Sequence, residues 1–181
     1  MTYIETSSGN RISREAVITG SDRILISGHT TVHPYAYLHG QVTLHDSLHP
    51  EDAQDLVPTI SIGKYCYVDH HASLTPPAYP SEKHLHGTLK IGNYVVLGEY
   101  CAVEAASLGN RILVGARARL SNMCVVYDCC VIEPDTVVPP KCVVPPFSLV
   151  SGAGPTFKVK DLNGCYKEII ELEARELNVL G

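Results

Sequence analysis

Residues 108–150 read LGNRIL VGARAR LSNMCV VYDCCV IEPDTV VPPKCV VPPFSL V, and cutting them into sixes puts Leu108, Val114, Leu120, Val126, Ile132, Val138, Val144 and Val150 in one frame. A fixed period held this long decides the architecture before any local propensity does. Working outward, the same step recurs in Ile91, Leu97, Val103, in Ile62, Val68, Leu74, and in Ile26, Val32, Leu38, Leu44, with the frame shifting between blocks. The step from Val103 to Leu108 is one residue short. The fourth position after each aliphatic residue is mostly small: Ala36, Cys66, Ala72, Cys101, Ala118, Cys124, Cys130, Thr136, Cys142 and Ser148. Glycine often follows the aliphatic residue, at Gly63, Gly92, Gly98, Gly109 and Gly115. That is where a tight corner is expected to benefit from a missing side chain.

Six residues suit a short extended strand plus a corner, and three such steps close a triangular coil of about 18 residues with the aliphatic and small residues inside. Stacked coils then pair their backbone groups at roughly 4.8 Å per coil. An amphipathic helix is excluded, because at about 100° per residue a period of six drifts around the helix and builds no single face. The β-branched content and the prolines of Val138-Pro139-Pro140 and Val144-Pro145-Pro146 also oppose a helix here. Those prolines are expected to shape the last corners.

Two stretches break the frame, His45 to Thr59 and Thr75 to Lys90, and are expected to leave the prism as loops. After Gly152-Ala153-Gly154-Pro155 the pattern changes, and Tyr166, Ile169, Ile170, Leu177 and Leu180 fall near helical spacing. The expected organisation is one all-β unit, a parallel β-helix over residues 1–155 with loops near 45–59 and 75–90, followed by a helical segment over 156–181. Absence of Trp and only two Phe among 181 residues agree with a thin interior.

A net charge of −5 without a Lys/Arg block gives no sign of nucleic-acid binding or of membrane insertion. Met1 to Asn10 lacks the order of a signal peptide, and no apolar run approaches a membrane span, so a soluble, cytoplasmic protein is expected. Seven cysteines show neither a disulfide framework nor paired zinc motifs. Cys66, Cys101, Cys124, Cys130 and Cys142 fall on the small inward position and are read as packing residues, leaving Cys129 and Cys165 as candidate exposed thiols.

The hexads resemble those of hexapeptide-repeat proteins, a resemblance that implies a left-handed coil. Enzymes on that fold use well-placed histidines, as loop bases in acyltransferases or as zinc ligands in γ-class carbonic anhydrases. His33, His39 and His45 follow Val32, Leu38 and Leu44, one hexad apart, so they are expected to point outward from successive faces and to share no metal. His70 and His71, with His84 and His86 from the second loop, form the remaining cluster, and the expected role of each is a solvated or hydrogen-bonded surface residue. No phosphate loop, dinucleotide fingerprint or nucleophile elbow is present. Neither a catalytic residue nor a metal or other cofactor is expected; the competing reading is a trimeric hexapeptide enzyme.

Tyr3-Ile4-Glu5-Thr6 with Ser8-Gly9-Asn10, the stretch Val103 to Gly109, and Pro139-Pro140-Lys141-Cys142-Val143-Val144-Pro145-Pro146-Phe147 with Ser151-Gly152 resemble the dynactin subunit 5 family over nearly the whole chain. The resemblance implies a non-enzymatic subunit of the dynactin pointed-end complex, microtubule-associated, beside dynactin subunit 6, dynactin subunit 4 and the pointed-end actin-related protein. It also implies contacts with dynein cargo adaptors and a part in endosome transport. The run Leu44 to Pro58 is longer and more acidic than the family pattern, which weakens any adaptor contact placed there. Candidate partner-contacting residues, read as outward aromatic or basic positions, are Tyr35, Tyr37, Tyr65, Tyr67, Arg117 and Arg119.

Overall fold

The computed structural model describes residues 2–45 and 57–180, so most of the expected 45–59 loop lies outside the described residues. Its body is a three-faced prism of parallel strands. The first face stacks Arg11–Ser13, Thr31–Val32, Tyr67–Val68, Val95–Leu97, Ile112–Val114, Cys130–Ile132 and Ser148–Ser151. The second runs from Val17–Thr19 through Tyr37–His39, Ser73–Leu74, Ala102–Val103 and Arg119–Leu120 to Val137–Val138. The third runs from Ile24–Gly28 through Ile60–Lys64, Leu89–Ile91, Ser107–Leu108 and Val125–Val126 to Val143–Val144.

The register follows from the spacing of the aliphatic frame. Ile112 pairs with Cys130 and Val114 with Ile132, a full three hexads on. Val95 pairs with Ile112, one residue fewer, because the short step from Val103 to Leu108 is absorbed at a corner without breaking the ladder. Inside, Val32, Val68, Leu97, Val114, Ile132 and Val150 form one buried column, and the small residues Cys66, Ala72, Cys101, Ala118 and Cys124 are buried beside them. Only small side chains fit there, since a triangular coil this narrow leaves no room for rings.

The corners differ from the sequence expectation. Gly63, Gly92, Gly98, Gly109 and Gly115 have ordinary φ values; what they supply is clearance, since a Cβ on Gly98 would lie 2.8 Å from the backbone N of Ala116 and 2.8 Å from the carbonyl O of Val114. The left-handed turn falls two residues later, a position that among the described residues is one of thirteen non-glycine residues with φ between 49° and 62°. Their N–H groups are used on the neighbouring coil, as in Arg117 N to Glu99 O (2.8 Å) and Asp135 N to Ala116 O (3.0 Å), which holds a conformation that L-residues otherwise avoid.

Two further strands close the first face: Tyr3–Glu5 pairs antiparallel with Arg11–Ser13, and Lys158–Asp161 antiparallel with Ser148–Ser151. The second of these was not foreseen in the helical tail, and the helix itself spans Tyr166–Leu180. The 75–90 excursion carries an antiparallel pair, Ala78–Tyr79 with Glu82–His86, which in turn pairs with Thr43–Leu44. Among the described residues no helix is long and apolar enough to cross a membrane.

Candidate functional site

Because each left-handed corner residue sits directly above its counterpart in the coil below, identical positions stack at about the inter-strand spacing. Between the third and first faces the column is His29, Tyr65, Tyr94, Arg111, Cys129 and Phe147; between the first and second it is Tyr35, His71, Tyr100, Arg117 and Asp135. In the first column the His29 and Tyr65 rings stack at 4.9 Å, and Tyr65 and Tyr94 at 5.3 Å with a 1° interplanar angle. In the second, Tyr35 and His71 stack at 5.0 Å and His71 and Tyr100 at 4.6 Å. Each such pair contributes about 0.5–1.5 kcal/mol beyond burial.

The two columns part company at the C-terminal helix. That helix lies beside Tyr67–Val68 and buries Ile170 and Ala174. Arg175 stands over the Tyr65 and Tyr94 rings at 5.3 and 5.4 Å and donates to the Tyr94 hydroxyl, while Arg111 Nε donates to Glu171 Oε2 at 3.0 Å. The Arg111 guanidinium holds the Glu171 carboxyl below its ordinary range. The other column stays open: Tyr35 and Tyr100 are 52% and 54% exposed. Above them Arg117 and Asp135 form a two-pronged ion pair, Nε to Oδ1 at 2.7 Å and Nη2 to Oδ2 at 2.9 Å.

The six sequence-selected contact residues divide accordingly. Tyr35 and Arg117 stand on the open corner, and Tyr37 and Arg119 lie on the adjoining second face in one outward row, separated by Ser73 and Ala102. Tyr37 is half-buried, its hydroxyl 2.9 Å from His39 Nδ1. Tyr65 instead lies under Arg175, and Tyr67 packs beside His33 with its phenol pushed up to about 12 by burial. The chain's own helix and neighbouring rings occupy that side. Of the middle of the open column, Tyr100 escaped sequence reading, and His71 was read as a surface residue of the histidine cluster and not as a contact residue. The signal was present in the residue just before each small inward one, which is repeatedly Tyr, His or Arg.

The histidines also sort differently from expectation. His33 is buried at 6% exposure rather than outward, because Tyr3 of the terminal strand meets its Nδ1 at 3.2 Å and the rings of Tyr67 and His70 pack on it. His70 donates from Nδ1 to Asp69 Oδ1 at 2.8 Å, His86 donates from Nδ1 to the Pro76 carbonyl, and His84 is exposed. His39 lies 3.0 Å from Thr19 Oγ1, and His45 packs against Tyr79. Among the thiols, burial pushes Cys66, Cys101 and Cys124 up to about 12 and Cys130 to about 11, so none is a ready nucleophile. Cys129, read as exposed from sequence, is buried on the first column near Arg111, whereas Cys165 is exposed.

The family model of dynactin subunit 5 matches residues 1–175. The chain belongs to the dynactin subunit 5 family. It is 30% identical over 113 residues to dynactin subunit 5 of Dictyostelium discoideum, an alignment covering 60% of this chain and 48% of that protein, so it spans about half the length of that relative. Among solved structures it is similar to a hexapeptide transferase family protein from Anaplasma phagocytophilum, with a TM-score of 0.65 at 15% identity over 97% of this chain and 93% of that one. A perosamine N-acetyltransferase from Caulobacter crescentus gives a TM-score of 0.58 at 16% identity over 83% of this chain and 56% of the other. A UDP-N-acetylglucosamine acyltransferase from Bacteroides fragilis gives 0.55 at 14% over 92% and 64%. At these identities the likeness is one of fold, the left-handed β-helix that the resemblance to hexapeptide-repeat proteins implies, and it carries no activity across.

Proposed function

We propose that this protein is a non-enzymatic subunit of the dynactin pointed-end complex, working in the cytoplasm on microtubule-based transport. The observation that carries the reading is the match of the dynactin subunit 5 family model over residues 1–175. Its partners on this reading are dynactin subunit 6, dynactin subunit 4 and the pointed-end actin-related protein, with dynein cargo adaptors and endosome cargo beyond them. The open corner, with Tyr35 and Tyr100 both more than half exposed beside Arg117, gives such a partner the aromatic and Arg anchors on which protein interfaces concentrate their energy.

Affinity purification of the tagged protein from its own cells, with mass spectrometry of partners and sizing of the purified chain, tests the proposal. Dynactin subunits recovered in stoichiometric amount are the expected result. A homotrimer that captures no dynactin subunit and transfers an acyl group from a thioester donor would overturn it in favour of a hexapeptide-repeat enzyme.

A further inference from the structure

On the first face, the stacking of one coil on the next brings together residues the hexads separate by half a chain turn or more. His33 follows the inward Val32, and Asp69 and His70 follow its partner Val68, which pairs with Val32 in register. One ligand atom from each of His33, Asp69 and His70 lies within 4.8 Å of the others, and the two imidazoles pack at 4.6 Å between centroids. A second observation concerns His33 alone. The residue is 6% exposed, and its Nε2 is a buried nitrogen with no hydrogen-bond partner among the described residues. A buried polar atom without a partner is costly, and an imidazole nitrogen in that state with its other nitrogen held by Tyr3 matches the way metal-ligating histidines are oriented.

We propose that His33 Nε2, His70 and Asp69 bind a divalent cation of the zinc class, clasping the second and third coils and, through Tyr3, the terminal strand. Two imidazoles and a carboxylate suit a borderline cation of tetrahedral preference, with a fourth position left for water or a partner's side chain. The Asp69–His70 bond engages Oδ1 and Nδ1, so Oδ2 and Nε2 lie outside it. The charge of Arg11 opposes a cation, and its guanidinium is drawn over the Tyr3 ring at 4.9 Å.

This site does not depend on the dynactin reading. Its test is a zinc titration of the full chain, freed of metal by chelator, in competition with a chromophoric chelator, and in a Cys165→Ser background that removes the exposed thiol. One zinc per chain is expected, and cobalt in its place is expected to give the intense visible bands of a four-coordinate site. His33→Gln and His70→Gln are each expected to weaken binding by about 100-fold or more, while His71→Gln and His84→Gln leave it unchanged. His70 is a third exposed, so its variant remains informative should the His33 variant misfold. Failure to retain zinc at equimolar concentration, binding that survives both ligand variants, or binding that disappears with Cys165→Ser alone would each overturn the proposal.

Discussion

Lys141 shows how a single residue is held by the repeat. It sits in the left-handed region at φ 58°, its N–H donating to the Asn122 carbonyl one coil below, and among the described residues no ring or ion pair rewards its side chain. The left-handed conformation costs an L-residue about 1–2 kcal/mol, more if it is β-branched. Lys141→Val is therefore expected to lower stability by about 1–2 kcal/mol relative to wild type, and Lys141→Gly to leave it within about 1 kcal/mol, because relief of strain offsets the added freedom of the unfolded chain. Denaturant midpoints of the two variants check the order, and equal midpoints would contradict it. At this scale the sequence was partly misleading. The glycines after each aliphatic residue drew the corner to themselves, whereas their role is to let the next coil approach. The strained corner position is filled by Tyr, His, Arg, Met, Cys, Asp, Lys and Phe, which carry no conformational signature when read singly.

The C-terminal helix is attached by an apolar and a charged contact together. Its apolar hold is Ile170, fully buried, with Ala174, and Ile170→Ala is expected to cost about 2–5 kcal/mol. Its polar hold is Glu171 against Arg111 and Arg175. The sign of the pH effect follows from the direction of the Glu171 shift. With its folded-state value below the ordinary 4.5, the unfolded chain binds the proton first as pH falls, so this contribution is complete above that value and is lost through the acid range below it. Thermal midpoints measured from neutral pH to about pH 3 should therefore fall less steeply in Glu171→Gln than in wild type, the variant starting lower at neutral pH. An unchanged acid slope would mean that the pair is screened out by solvent. The helix was legible from the spacing of Tyr166, Ile169 and Ile170, but its seat was not, because Arg111 and Glu171 are sixty residues apart and meet only once the coils have stacked.

The molecule as a whole is asymmetric along its axis. At the C-terminal end the turn after Ser151 returns Phe157 onto the core, and prolines at 139, 140, 145 and 146 remove backbone donors from the last corners. At the other end Ile12, Ala16, Ile18, Ile24 and Ile26 pack on the core yet are only partly buried, and beyond the antiparallel strand on the first face the second and third faces end on Val17–Thr19 and Ile24–Gly28. A stacked repeat distributes its stability by nearest neighbours, so this first coil has one neighbour where the inner coils have two. If dynactin subunit 6, proposed above as a partner, docks end-on, this is the end that gains most from being covered. Ile18→Glu is accordingly expected to reduce the stability of the isolated chain by no more than about 1–2 kcal/mol, since the side chain already reaches solvent, but to weaken capture of dynactin subunit 6 by about tenfold or more by setting a charge against an apolar coil. Phe147→Glu at the opposite end, 42% exposed on the helix-side corner, is the matched control. Hydrogen exchange on the chain with and without the partner separates the outcomes: protection gained over residues 11–28 supports docking at this end, and protection gained instead along Tyr35, His71 and Tyr100 moves the partner to the open corner.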